Sequence, residues 1–147
     1  MELSPHETVL LVDDDAAVRD SIKVLLELHG FKVVEFHAAD ALLADYAILP
    51  YSCLVADVEM PTIGGVELLG RLADDGKRLP AVLITGRIDE RVRRLASKAG
   101  AFALIEKPFD SAVLVDAVRR ALNAAGLDPE GETASDAGGL HAPPPKA

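Results

Sequence analysis

The sequence predicts a doubly wound α/β fold: a five-stranded parallel sheet of order 2-1-3-4-5 carrying five helices. Two observations predict it. Short apolar runs alternate with amphipathic helical stretches from residue 9 to about residue 124, the pattern of parallel strands joined by crossover helices. Several of those runs are apolar at successive rather than alternate positions, as strands covered on both faces require. With 147 residues, 50% of them hydrophobic, the chain is long enough for one domain with a substantial core.

The first strand spans Val9 to Val12. The first helix spans Ala16 to His29, with Val18, Ile22, Leu25 and Leu26 on one face and Gly30 as its stop. Lys32 to Phe36 forms the second strand, and the second helix covers Ala38 to Ala47. Ser52 to Ala56 is the third strand, and Asp57 stands at its end. A loop holding Met60-Pro61 and Gly64-Gly65 leads to the third helix, which runs to about Ala73. Pro80 introduces the fourth strand, Ala81 to Thr85. The fourth helix covers Glu90 to Ala99 and is ended by Gly100; the fifth strand is Ala103 to Ile105. The fifth helix, Ser111 to about Ala124, carries Leu114, Val118, Ala121 and Leu122 on one face. The domain therefore occupies residues 8–125, after an N-terminal extension at 1–7. From Gly126 to Ala147, eight of 22 residues are Gly or Pro. Such a segment has too little apolar surface to offset its ordering entropy, so a disordered tail is expected, ending in the extended Pro143-Pro144-Pro145 stretch.

Charge and cysteine usage narrow the function. A net charge of −9 without a basic run argues against direct nucleic-acid binding, which needs clustered Lys and Arg. Cys53 is the only cysteine and sits in an apolar run, which reads as a buried thiol in a reducing compartment. No stretch resembles a signal core or approaches 18 uninterrupted apolar residues, so no membrane association and a cytoplasmic location are expected.

In an open parallel sheet, functional groups gather beyond the carboxyl ends of the strands. Here the first strand ends in Asp13, Asp14 and Asp15, the third in Asp57 and the fourth in Thr85, and Lys107 follows the fifth. Clustered carboxylates repel unless a cation neutralises them, and oxygen ligands without His or Cys point to Mg2+. Asp15 is set aside as the N-cap of the first helix. A phosphoryl group on one carboxylate completes the cation's shell, with Lys107 as a point charge and Thr85 as a hydrogen-bond donor. The arrangement suits an aspartate nucleophile for phosphoryl transfer.

This pattern resembles the receiver domains of bacterial response regulators over roughly Thr8 to Ala124, a fold of the flavodoxin-like kind. The matching motifs are the acidic pair Asp13-Asp14, Asp57 followed by Met60-Pro61, Thr85, and Lys107-Pro108. Ile84-Thr85-Gly86 and Ile105-Glu106-Lys107-Pro108-Phe109 look most like nitrogen-fixation-type regulators. The resemblance implies that Asp14, Asp57 and the backbone carbonyl of Glu59 ligate Mg2+ directly, with Asp13 acting mainly through water. It implies that Asp57 takes a phosphoryl group from a sensor histidine kinase or phosphotransfer protein, and that the Lys107-Pro108 peptide is cis. The protein is then a phosphoacceptor that catalyses its own phosphotransfer and dephosphorylation, not an enzyme of the ordinary kind. The resemblance also allows a homodimer through the helix 4, strand 5, helix 5 face. A stand-alone form is expected, since no helix-turn-helix output domain follows in the sequence.

Two departures from the family pattern stand out. Leu104 occupies the place of the usual switch aromatic, and Phe102 is expected on the same strand face as Leu104. Glu59 and Arg87 are expected to pair across the mouth of the site and to obstruct water. Two other functions remain open at this point. One is a haloacid-dehalogenase-like Mg2+ phosphohydrolase, suggested by the Asp13-x-Asp15 spacing; the other is an adaptor of the same fold that is never phosphorylated.

Overall fold

The computed structural model describes residues 7–45 and 52–126. Most of the expected N-terminal extension, the end of the expected second helix and the tail beyond Gly126 lie outside the described residues. The elements are β1 (Thr8–Val12), α1 (Ala16–Leu28), β2 (Lys32–Phe36), α2 (Ala39–Asp45), β3 (Ser52–Asp57), α3 (Gly65–Asp74), β4 (Ala81–Thr85), α4 (Glu90–Ala99), β5 (Ala103–Glu106) and α5 (Ser111–Gly126). They form one sheet of order β2-β1-β3-β4-β5 in which every pairing is parallel, as the alternation of runs predicts.

The boundaries differ where tertiary contacts extend or shorten an element. β3 and β5 each run one residue further than expected, because Asp57 pairs with Ile84 and Glu106 with Thr85. Asp57 is thereby held in the ladder itself and not in the loop after it. α1 stops one residue short: His29 is its C-cap, with the backbone N–H bonded to the Leu26 carbonyl and Nδ1 3.0 Å from the Leu25 carbonyl. Gly30 follows with φ +92°, a left-handed turn that a Cβ would strain.

Alternation along the central strands sorts their side chains into two cores. Val9, Leu11, Cys53, Val55, Val82 and Ile84 face α1 and α5, whose Ile22, Leu26, Leu114 and Val118 cover them. Leu10, Val12, Leu54, Ala56 and Leu83 face α2 and α3, against Leu42, Leu68 and Leu72. Cys53 is fully buried, and desolvation pushes its thiol up to about 12, so it packs as a small apolar group. No helix among the described residues is long and apolar enough to cross a membrane.

Candidate functional site

β1 and β3 lie side by side with Val12 opposite Ala56, so the residues after each emerge at one edge. Asp13 and Asp57 are both buried there, at 3% and 5% exposure. Each oxygen of the Asp57 carboxylate has one partner: Oδ1 accepts from the Glu59 N–H at 2.8 Å, and Oδ2 accepts from Lys107 Nζ, also at 2.8 Å. Asp13 Oδ1 accepts from the Asp15 N–H at 2.9 Å. Asp15 turns away and caps α1, accepting from the N–H groups of Ala17 and Val18, as its position before the helix predicts.

Electrostatics follow from placing two acids and one cation in a poorly solvated edge. Burial raises the Asp13 carboxyl above its ordinary value; the Asp15 N–H opposes this, Asp57 adds to it, and smaller effects of Lys107 and Asp14 oppose each other. The hydrogen bond to Asp57 raises the Lys107 ammonium, against a desolvation penalty. An Asp whose folded-state pKa is raised binds its proton more tightly folded than unfolded. Its effect on stability is therefore most favourable below the unfolded value of 3.8 and is lost as pH rises through the folded value. Asp13→Asn keeps an Oδ1 acceptor for the Asp15 N–H and removes the charge. In Mg2+-free buffer it should raise Tm by a few degrees at neutral pH and by almost nothing below about pH 4. Thermal unfolding followed by circular dichroism across that range checks this; an unchanged neutral Tm would contradict the stated electrostatics.

Asp14 is exposed and makes no hydrogen bond of its own among the described residues. It lines a cleft of about 140 Å3 with His37, Met60, Pro61 and Thr62. Thr62 is held there at φ +71°, a conformation uncommon for a residue other than Gly. Thr85 is fully buried, but its hydroxyl is turned into its own turn: Oγ1 donates to the Arg87 carbonyl at 3.1 Å and accepts from the Arg87 N–H at 3.3 Å. Lys107 and Asp57 are thus brought into contact, Asp13 lies beside them, and Thr85 is adjacent but otherwise engaged. The Lys107-Pro108 peptide is cis, as expected.

Residues 9–119 match the response regulator receiver domain. The chain belongs to that family. This receiver is 41% identical over 114 residues to the transcriptional regulatory protein FixJ of Rhizobium meliloti, covering 78% of this chain and 56% of FixJ. It is 39% identical over 125 residues to the C4-dicarboxylate transport transcriptional regulatory protein DctD of Pseudomonas aeruginosa, covering 85% of this chain and 27% of DctD. Among solved structures, FixJ-N aligns at a TM-score of 0.70 and 39% identity over 79% of this chain and 93% of that one. The response regulator StyR aligns at 0.76 and 35% identity over 88% and 65%. The chain spans about half the length of the FixJ relatives it matches.

Two expectations about the receiver's surroundings are corrected. Glu59 and Arg87 form no ion pair among the described residues. Glu59 instead approaches the turn after β4, its Oε1 3.8 Å from where a Cβ on Gly86 would stand, and its charge helps to hold the Lys107 proton. Both residues are exposed, where pairing gains little over hydration; the water gate built on that pair is abandoned. Phe102 and Leu104 do not share a face either. β5 begins at Ala103, so Phe102 precedes the pleat and packs with the α1 and α5 core, whereas Leu104 packs with the opposite core. Leu104 also borders an open groove of about 600 Å3 with Ile88, Phe109 and Val113.

Two residues escape a reading of the motifs alone. Glu106, at the end of β5, accepts from the Ile88 N–H at 3.1 Å and so braces the turn that holds Thr85. Arg19, in the first turns of α1, donates from Nη1 to the Asp13 carbonyl at 2.7 Å. Among the described residues no three His, Cys, Asp or Glu side chains enclose a metal by themselves. The oxygen-only set of Asp13, Asp14 and Asp57 is of the open kind, which fits a hard cation that keeps several waters.

Proposed function

We propose that this receiver accepts a phosphoryl group onto Asp57 from a phosphohistidine of a sensor histidine kinase or phosphotransfer protein, with Mg2+ as cofactor. It would then signal through the surface that phosphorylation reshapes. The observation that carries this reading is the buried Asp57 carboxylate in contact with Lys107 at 2.8 Å, beside a second buried acid that has no cation of its own among the described residues.

In the step proposed, an Asp57 oxygen bonds to phosphorus as the P–N bond of the phosphohistidine breaks, and the bonding pair leaves with the imidazole ring. Asp14, Asp57 and the Glu59 carbonyl would hold Mg2+, with Asp13 acting through water; when bound, the ion neutralises charge on the transferring oxygens. Lys107 follows the negative charge from the carboxylate to a phosphoryl oxygen as a compact ammonium. Thr85 exchanges the Arg87 carbonyl for a phosphoryl oxygen, and that exchange carries the change into the turn before α4. The groove beside β5 lies next to this turn and is the proposed place for a second copy or an effector.

Incubation with acetyl phosphate and Mg2+, followed by intact mass measurement, tests the proposal. One alkali-labile phosphoryl group per chain is expected, and none with EDTA. No uptake would favour an adaptor, and continued turnover without a stable adduct would favour a phosphohydrolase; either result defeats the reading.

A further inference from the structure

We infer that Arg19 is a positioning residue for cation binding, setting the acidic turn through the Asp13 backbone. This rests on the proposed Mg2+ site and adds a residue outside the motifs that define it. Three observations carry it. Arg19 Nη1 donates to the Asp13 carbonyl at 2.7 Å, while Nε faces Glu35 Oε1 of the edge strand β2 at 3.3 Å. The Arg19 side chain is only 19% exposed, so the guanidinium is held between α1 and β2 and does not trail into solvent. The Asp13 N–H reaches the Phe36 carbonyl at a long 3.3 Å, so Arg19 provides the shorter of the two ties on the Asp13 peptide groups.

The physical consequence concerns direction. The carbonyl of Asp13 belongs to the peptide unit that leads into Asp14, whose carboxylate is exposed and has no hydrogen bond of its own among the described residues. Fixing that carbonyl fixes the orientation from which Asp14 leaves the backbone, and ligand orientation by outer groups is commonly worth ten- to hundredfold in metal affinity. A planar guanidinium is suited to the task because separate N–H groups bond the carbonyl and the Glu35 carboxylate at once, which one ammonium does less well.

The role has a sign that distinguishes it from simple electrostatics. A cation near an acidic site repels Mg2+, so if charge alone mattered, Arg19→Gln would tighten Mg2+ binding. If Arg19 positions the turn, Arg19→Gln weakens binding, by about tenfold. The experiment is Mg2+ titration of the full chain by calorimetry, without phosphodonor, with thermal unfolding recorded for each variant. Wild type should bind, Arg19→Gln should bind about tenfold more weakly, and Arg19→Lys, with charge kept and the fork lost, should fall between them. Equal or tighter binding by Arg19→Gln overturns the inference while leaving the Mg2+ site in place. Absence of binding by wild type overturns the proposed function itself. Should Arg19→Gln fail to fold, Arg19→Lys decides: unchanged Mg2+ affinity at unchanged charge overturns the positioning role.

Discussion

Asp57→Asn should abolish phosphoryl uptake from acetyl phosphate and leave the fold intact. The amide is nearly isosteric, and its Oδ1 still accepts from the Glu59 N–H that Asp57 holds at 2.8 Å. What disappears is the proposed nucleophile, because an amide oxygen does not form the acyl phosphate. The two effects on stability oppose each other. Losing one of two neighbouring buried acids relieves repulsion on Asp13, while Lys107 loses its carboxylate partner. The Lys107 side chain is 35% exposed, so water is available to the ammonium once that partner is gone, and the net change in Tm should be small. Intact mass measurement supplies the first readout and circular dichroism the second. A phosphoryl group still gained by the Asp57→Asn variant would move the acceptor to another carboxylate and sink the assignment.

The largest effect on stability is expected at the start of α3. Gly64→Ala would drive a Cβ into the Val58 carbonyl, and Gly65→Ala would place one 2.7 Å from the Asp57 carbonyl and 3.2 Å from Leu83 Cδ2. The obstacles are mainly backbone atoms of β3 and the residue after it, which do not give way as a flexible side chain would. Each substitution should cost about 1–3 kcal/mol, Gly64 the more, and lower Tm by several degrees. Gly70 lies in the same helix with nothing within 4 Å of its missing Cβ. Gly70→Ala should stabilise by about 0.5–1 kcal/mol, since Ala suits a helix interior. Thermal unfolding of the three variants checks both signs, and a Gly64 variant as stable as its parent would mean that the loop yields. Val58 directly follows Asp57, so phosphoryl uptake in the same variants reports whether the loop and the proposed nucleophile are mechanically joined.

Features set by local rules were legible in the sequence, and features set by packing between distant residues were not. The strands could be read because burial on both faces makes Leu10 to Val12 and Cys53 to Ala56 uninterrupted apolar runs. The separation of Asp15 from Asp13 could be read because an N-cap is decided within three residues. Asp57 in contact with Lys107 spans fifty positions, and it was reachable only because strand ends converge in this topology. The face of Phe102 is not legible, because the start of β5 is decided by its pairing with β4, which the local sequence does not mark. Glu59 and Arg87 carry opposite charges at suitable offsets, but rotamers of exposed side chains are not written in spacing. Arg19 left a faint signal, a lone basic residue four positions after three acids, and it reads equally well as a solvated helix face. Whether it touches Asp13 depends on how α1 lies against β2.

The turn after β4 has a consequence for how quiet the unmodified protein is. Thr85 is held by two bonds to Arg87, one donated and one accepted, and Glu106 holds the Ile88 N–H of the same turn. On the proposed mechanism, an excursion toward the signalling form without phosphate forfeits about two of these bonds, each worth about 0.5–1.5 kcal/mol. Spontaneous firing would then be confined to roughly 1–15% of molecules. On that mechanism the turn would act as a noise filter whose threshold is set by ordinary hydrogen bonds, and shortening the Glu106 side chain is the simplest way to lower it.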